Sequence, residues 1–150
     1  GLRPGDKIAT LEKNSIEAAD IFLAAAIGNF VRVPLYARNR RESHAHMMRN
    51  TDCRLALVDN ALLPEVAGLE TELPDLKRLI VRDGTYEEWL ARASDQDPDP
   101  TISPDDYCVI RHTGGTTGAP KGVAYTHRTW MTCCAGFLEV GPRPDPGATV

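Results

Sequence analysis

Three short apolar runs constrain this chain most: LALV at 55–58, LIV at 79–81 and YCVIR at 107–111. Each is too short to be an ordinary helix, and none alternates strictly between polar and apolar. That pattern marks strands covered on both faces. Lys7–Leu11 and residues 30–34 read as two further strands. Between the strands lie helical stretches. Asn14-Ser15 offers an N-cap, with Glu17 three residues after Asn14 in capping-box position. The helix that follows carries Ile16, Leu23, Ala26 and Ile27 on one side, expected to face the core, and Gly28 ends it. Arg41–Asn50 reads as a polar helix with Met47 and Met48 as its core contacts, and 86–93 as another short helix. Strands alternating with helices in this way predict βαβ units: an α/β fold, a mainly parallel sheet with helices on both faces.

The 150 residues fit a single domain with a sizeable core. A formal net charge of −4 argues against nucleic acid or an anionic membrane as the main partner, because binding on that scale needs a basic excess. Any phosphate recognition must be local. Of the four cysteines, Cys53, Cys108, Cys133 and Cys134, none forms a Cys-x-x-Cys pair, and all read as small residues of a reduced core. His44 and His46 fall on different faces of their helix, which disfavours a zinc site. The longest strongly apolar run, 21–28, is far too short to span a bilayer, and with no signal peptide the chain reads as soluble and cytoplasmic. Residues 94–106, SDQDPDPTISPDD, are an Asp- and Pro-rich stretch expected to be an exposed connector. Gly1 opens inside a loop, and a β-like run is just beginning at Val150, so both ends are expected to be cuts in a longer chain.

The densest chemistry lies in RHTGGTTGAPKGVAYTHR, residues 111–128. A sharply turning backbone converges its N–H groups on one point, which suits phosphate, and glycine permits both the turn and the close approach. Thr113, Thr116 and Thr117 add hydroxyls and Lys121 adds a mobile positive charge. This is not the Gly-x-x-x-x-Gly-Lys-Ser/Thr loop: Lys121 follows Pro120 and precedes Gly122, and GVAYT after it alternates like a strand. Gly-x-Gly-x-x-Gly is absent too. The expected order is strand, loop, strand, then a helix from about His127. On that helix Trp130, Phe137 and Leu138 read first as a core stripe, and His127 as a helix-start residue that bonds locally. Trp89 reads as packing, and Arg40 and Arg41 as a solvated helix start.

Thr113-Gly-Gly-Thr-Thr-Gly-Ala-Pro-Lys121-Gly122 resembles the signature of the adenylate-forming family, which includes acyl-CoA synthetases, peptide-synthetase adenylation domains and luciferase-like enzymes. Gly114 stands where that signature more often has serine, which removes a hydroxyl and leaves the backbone cradle. Upstream, the Pro-Gly-Asp turn, the first strand, Asn-Ser before a helix and Val-Pro-Leu follow the family's order, so the resemblance covers most of the chain. It is most like the acyl-CoA synthetases. The resemblance implies a piece of the large N-terminal AMP-binding domain, with the C-terminal domain absent. It also implies a two-step reaction: a carboxylic acid attacks the α-phosphate of ATP with Mg2+, giving an acyl-adenylate and pyrophosphate, and a thiol such as coenzyme A then takes the acyl group. Thr113, Gly114, Gly115, Thr116, Thr117, Gly118 and Lys121 would line the β- and γ-phosphates, with Pro120 shaping the turn. The helix from His127 would lie near the acyl pocket, which makes Trp130, and with it His127, candidate pocket residues. The magnesium ligand, the adenine-binding segments and a distal catalytic lysine would lie outside this chain, leaving it inactive alone. The alternatives are a peptide-synthetase-type adenylation domain, a stand-alone nucleotide-binding module and a non-catalytic homologue.

Overall fold

The computed structural model describes residues 1–114 and 119–141. Its strands are β1 (Lys7–Leu11), β2 (Val31–Pro34), β3 (Leu55–Asp59), β4 (Arg78–Arg82), β5 (Tyr107–His112) and β6 (Gly122–Thr126). They form one sheet in the order β4-β3-β1-β2-β5-β6, parallel throughout except that β6 runs antiparallel to β5. The helices are α1 (Ile16–Ile27), α2 (Arg41–Asn50), α3 (Leu69–Glu72), α4 (Tyr86–Leu90) and α5 (His127–Val140), with a 3-10 turn at Asn60–Glu65. The expected α/β class and mainly parallel sheet are what the structure has, and most strands fall within a residue of their expected bounds. The helix expected over 86–93 is shorter, ending at Leu90.

The helices divide by the direction of the crossover that carries them. From β1 to β2 the chain steps one way; from β2 to β3 and on to β4 it steps the other, and crossovers of one hand then send their helices to opposite faces. On one face, Met47 and Met48 of α2 join Val66, Leu69, Leu73 and Leu76 over Ala9, Leu11, Val33, Ala56 and Val58 in a closed apolar core. The other face carries Ile21 and Ala25 of α1, with Tyr86 and Trp89 of α4, over Ile8, Leu57 and Ile80.

Two apolar stripes depart from expectation. On α1 the buried residues are Ile21 and Ala25, while Ile16 is 79% exposed and Leu23 and Ile27 are exposed too. On α5, Phe137 (69%) and Leu138 are exposed, and Trp130 alone of the expected stripe is half-buried. Amphipathic spacing shows which side chains favour burial; it does not supply what buries them. Two of the four cysteines, Cys133 and Cys134, are likewise exposed because they lie on this helix. Cys53 is buried as expected, and burial pushes its thiol up to about 12, which leaves it unreactive.

The caps also differ in detail. Ser15 Oγ accepts from Ala18 N–H at 3.2 Å, so α1 is capped by Ser15 rather than by an Asn14–Glu17 box. At Gly28 any Cβ would collide with the Phe30 ring, so glycine is required there by close approach. Residues 94–106 are exposed almost throughout, but the end of the stretch docks. The carbonyls of Asp106 and Pro104 accept from the N–H groups of His127 and Arg128 at 3.0 and 2.8 Å, satisfying donors that the start of α5 leaves free. Arg41, expected to be solvated, instead donates to Ala67 O and to Glu72 Oε1, both at 2.5 Å, and pins the start of α2 to α3.

Across the carboxyl ends of β1, β3 and β4, Arg82 donates through Nη2 and Nε to Glu12 Oε2 at 2.7 and 3.0 Å, with Asp59 3.7 Å away. The Glu12 side chain is 4% exposed. Removing one member of such a pair leaves an uncompensated charge, so Glu12→Ala should cost about 3–5 kcal/mol in denaturant unfolding, and Glu12→Leu with Arg82→Met should recover most of it.

His44 is fully buried on α2 with no hydrogen bond to either ring nitrogen. Burial lowers its pKa below the ordinary histidine value, and the nearby Asn39 backbone offsets only part of that. The unfolded chain therefore binds this proton more readily than the folded one, so stability is full at neutral pH and falls as pH drops below about 6.5. Thermal unfolding at pH 7.5 and 5.5 should show a lower Tm in acid, and His44→Met should reduce the difference.

Candidate functional site

The loop of interest leaves the carboxyl end of β5, the end at which open parallel sheets bind ligands. Cys108 and Val109 bury the strand, and His112 pairs with Gly122 at its tip. One residue on, Thr113 N–H donates to Lys121 O at 2.9 Å, and Lys121 N–H reaches Thr113 Oγ1 at 3.4 Å. These two bonds tie the neck of the loop. The β5–β6 ladder continues below it through Arg111–Val123 and Ile110–Ala124. The strand–loop–strand–helix order read from the sequence is thus present, with Thr126 and Thr129 forming a reciprocal capping box at the start of α5.

Among the candidate phosphate residues, Thr113, Gly114 and Lys121 lie at the neck and all three are exposed. Gly115, Thr116, Thr117 and Gly118 lie outside the described residues. A Cβ at Gly114 would meet nothing within 4 Å, so packing does not demand glycine where the resemblance favours serine. Gly122 is the reverse case. A Cβ there would stand 2.9 Å from Ile110 Cγ2, 3.5 Å from His112 Nε2 and 3.6 Å from Asn50 Nδ2, so a larger residue would require the Ile110 side chain to give way.

Three groups support the neck from elsewhere in the chain. Tyr36, just past β2, donates its hydroxyl to His112 O at 2.5 Å. The His112 ring is 3% exposed with both nitrogens unpartnered; burial, and then the neighbouring His46, lowers its pKa. His46 Nε2 lies 3.1 Å from Pro120 O, and since a carbonyl only accepts, the imidazole donates. With Asn50, Lys121 and Gly122, His46 lines an open groove of about 510 Å³ beside the loop. Sequence reasoning missed His46, Asn50, His112 and Tyr36. The usable signal was that His46 and Asn50, four apart on α2, share a face that cannot also be the Met47–Met48 face.

The candidate pocket residues fall elsewhere. His127 opens α5 at the far end of β6 from Lys121, lining a shallow site with Ile102, Pro104 and Met131. Trp130 packs against Phe22 (ring centroids 6.1 Å) and edge-on to Tyr125 (5.7 Å), in an open groove of about 540 Å³ with Arg111, Cys134, Phe137 and Leu138. The structure does not bring either residue to the loop neck. Among the described residues, no cluster of three or more His, Cys, Asp or Glu side chains could hold a metal ion, and no helix is long and apolar enough to cross a membrane.

Comparison with known proteins decides the family, because the profile of the AMP-binding enzymes matches residues 1–148. This chain belongs to that family. Among its relatives, a benzoate–CoA ligase from Thauera aromatica is 30% identical over 131 residues, 85% of this chain and 25% of the relative. The fatty acid–acyl-carrier-protein ligase ScoC from Streptomyces coeruleorubidus is 30% identical over 132 residues, 87% of this chain and 25% of the relative. The inhibitor-bound N-terminal domain of FACL13 from Mycobacterium tuberculosis shares the fold, with a TM-score of 0.84 over 96% of this chain and 37% of that one at 24% identity. The chain thus spans about a quarter of the length of the curated relatives it matches.

The contact at Gly122 sets the tightest local test. Gly122→Val should overpack Ile110 and the neck, costing about 1–3 kcal/mol in denaturant unfolding, while Gly114→Ser should stay near wild type.

Proposed function

We propose that this chain is the phosphate-loop portion of an adenylate-forming acid–thiol ligase. The observation that carries this is the neck: a loop tied by Thr113 and Lys121 at the carboxyl end of a buried parallel strand, with an exposed lysine at its mouth. In the proposed reaction a carboxylate oxygen bonds to the α-phosphorus of ATP, and the bond to the bridging oxygen breaks to release pyrophosphate. The acyl-adenylate then passes its acyl group to a thiol and releases AMP. Thr113, Gly114, Gly115, Thr116, Thr117, Gly118 and Lys121 are the residues proposed to hold the β- and γ-phosphates. Their work is positional and electrostatic, offsetting charge that builds on the departing pyrophosphate. Thr113 Oγ1 accepts from Lys121 N–H and still has its own hydrogen to donate.

ATP and an acid are the proposed substrates, with coenzyme A as the thiol. The ScoC likeness keeps a carrier-protein thiol, and hence a peptide-synthetase-like arrangement, as the second reading. The named relatives act on benzoate and on fatty acids, which supports a monocarboxylic acid as the proposed substrate, with fatty acids among the candidates. Trp130 and its groove are the proposed flank of the acid pocket, and His127 is not carried into it. Magnesium would travel with ATP; no described residue group of this chain fits it, so no step here is routed through the ion. The proposed location is the cytoplasm, where ATP and coenzyme A are both available.

Charge-assisted hydrogen bonds contribute about 1.5–3 kcal/mol each. In the whole protein, Lys121→Ala should therefore slow ATP–pyrophosphate exchange roughly 10- to 100-fold, while Trp89→Phe leaves it near wild type. Equal rates for Lys121→Ala and wild type would overturn the assignment.

A further inference from the structure

We infer that His46 is a positioning residue for Lys121, acting as a clamp from α2 on the peptide that presents the lysine. This rests on the phosphate-loop reading above and deepens it.

The argument begins with one rigid plane. The Pro120 carbonyl and the Lys121 N–H belong to the same peptide unit, whose atoms turn together. His46 Nε2 donates to the oxygen of that plane at 3.1 Å, and Thr113 Oγ1 accepts from its N–H at 3.4 Å. The next plane is held by Thr113 N–H on Lys121 O at 2.9 Å. Both peptide units flanking the Lys121 Cα are therefore fixed, and with them the direction in which the side chain leaves the backbone. The Thr113 bonds come from the neck itself. Among the described residues, only the His46 bond ties this part of the loop to another element.

That element is well anchored. Met47 and Met48, the residues that follow His46, are buried in the core at 0% and 1% exposure, so α2 has little freedom to rotate. Thr51 Oγ1 donates to Met47 O at 2.8 Å and secures the end of the helix. Asn50, one turn after His46, stands over Gly122 below the clamp. A donor held on a packed helix positions a loop more firmly than a donor on the loop could. The imidazole can donate from Nε2 whether neutral or charged, so the clamp needs a particular tautomer rather than a particular pH.

The test is MgATP binding by calorimetry to the whole protein and its variants. His46→Leu should weaken binding about 3- to 10-fold, the share of one hydrogen bond. His46→Gln, whose amide nitrogen can take the place of Nε2, should restore most of it. In a Lys121→Ala background His46→Leu should have no further effect, because the clamp acts through that lysine. Weakening by Lys121→Ala with none by His46→Leu would overturn the clamp and leave the loop reading standing. Equal losses in His46→Leu and His46→Gln, or a loss that persists without Lys121, would assign His46 to general support of α2 and overturn it as well. No loss with Lys121→Ala would overturn the phosphate-loop reading and the clamp with it.

Discussion

The hydrogen bonds between Thr113 and Lys121 are the point on which the candidate site depends. A loop that turns tightly around a ligand has few internal partners, because its N–H groups are turned toward the ligand. It must therefore be closed where it joins the sheet. Here the closing bonds extend the β5–β6 ladder by one residue on either side of His112–Gly122, so closing the loop requires no structure beyond the antiparallel pair. This also accounts for the one reversal in the sheet: β6 must run against β5 for the chain to return to its starting point within nine residues. A parallel continuation would need a crossover of a dozen residues or more.

Beneath the neck, the requirements become those of packing. Gly122 lets β6 approach the Ile110 side chain more closely than a Cβ would permit, and the His112 ring beside it is buried. Tyr36 then fastens the strand end through the His112 carbonyl, linking β2 to the neck. The closed core on the α2 face, the glycine contact and the histidine clamp form one continuous chain of contacts from Met47 to Lys121. The other face contributes less. Its α1 and α5 leave Ile16, Leu23, Phe137 and Leu138 open, so the loop is held from the side on which this stretch of chain is fully packed.

What the sequence showed follows from which forces are local. Strand runs such as 55–58 and 79–81 are continuous and apolar, and their burial on two faces is written in composition alone. The loop was legible for a similar reason, since glycine, threonine and lysine at close spacing combine backbone freedom with donors and charge. The supports were not legible because they are non-local. Nothing near residue 46 indicates that its ring meets residue 120, and two histidines separated by one residue invite a question about metal before one about a carbonyl. Tyr36 and His112 are joined across 76 positions of sequence. The stripe on α1 was misplaced for a third reason. Four apolar residues on one side imply a surface to meet, but α1 settles on the sheet through Ile21 and Ala25.

The proposed anion site does not require a basic chain, and this one carries a net charge of −4. The acids are gathered elsewhere. Asp95, Asp97, Asp99 and Asp105 lie in the 94–106 stretch, and Glu12 and Asp59 are engaged with Arg82 at the opposite side of the sheet from β5. The residues lining the groove at the neck, His46, Asn50, Ala119, Pro120, Lys121 and Gly122, include no carboxylate. Screening confines charge interactions between exposed groups to about 8–10 Å at moderate ionic strength, so what a bound phosphate feels is set by this lining rather than by the whole molecule. Among the described residues lining the groove, no acid offsets the charge of Lys121. The buried, unpartnered His112 stays uncharged near neutral pH and does not compete with Lys121 for it. Local selection of side chains, rather than overall basicity, is what the proposed polyphosphate site relies on.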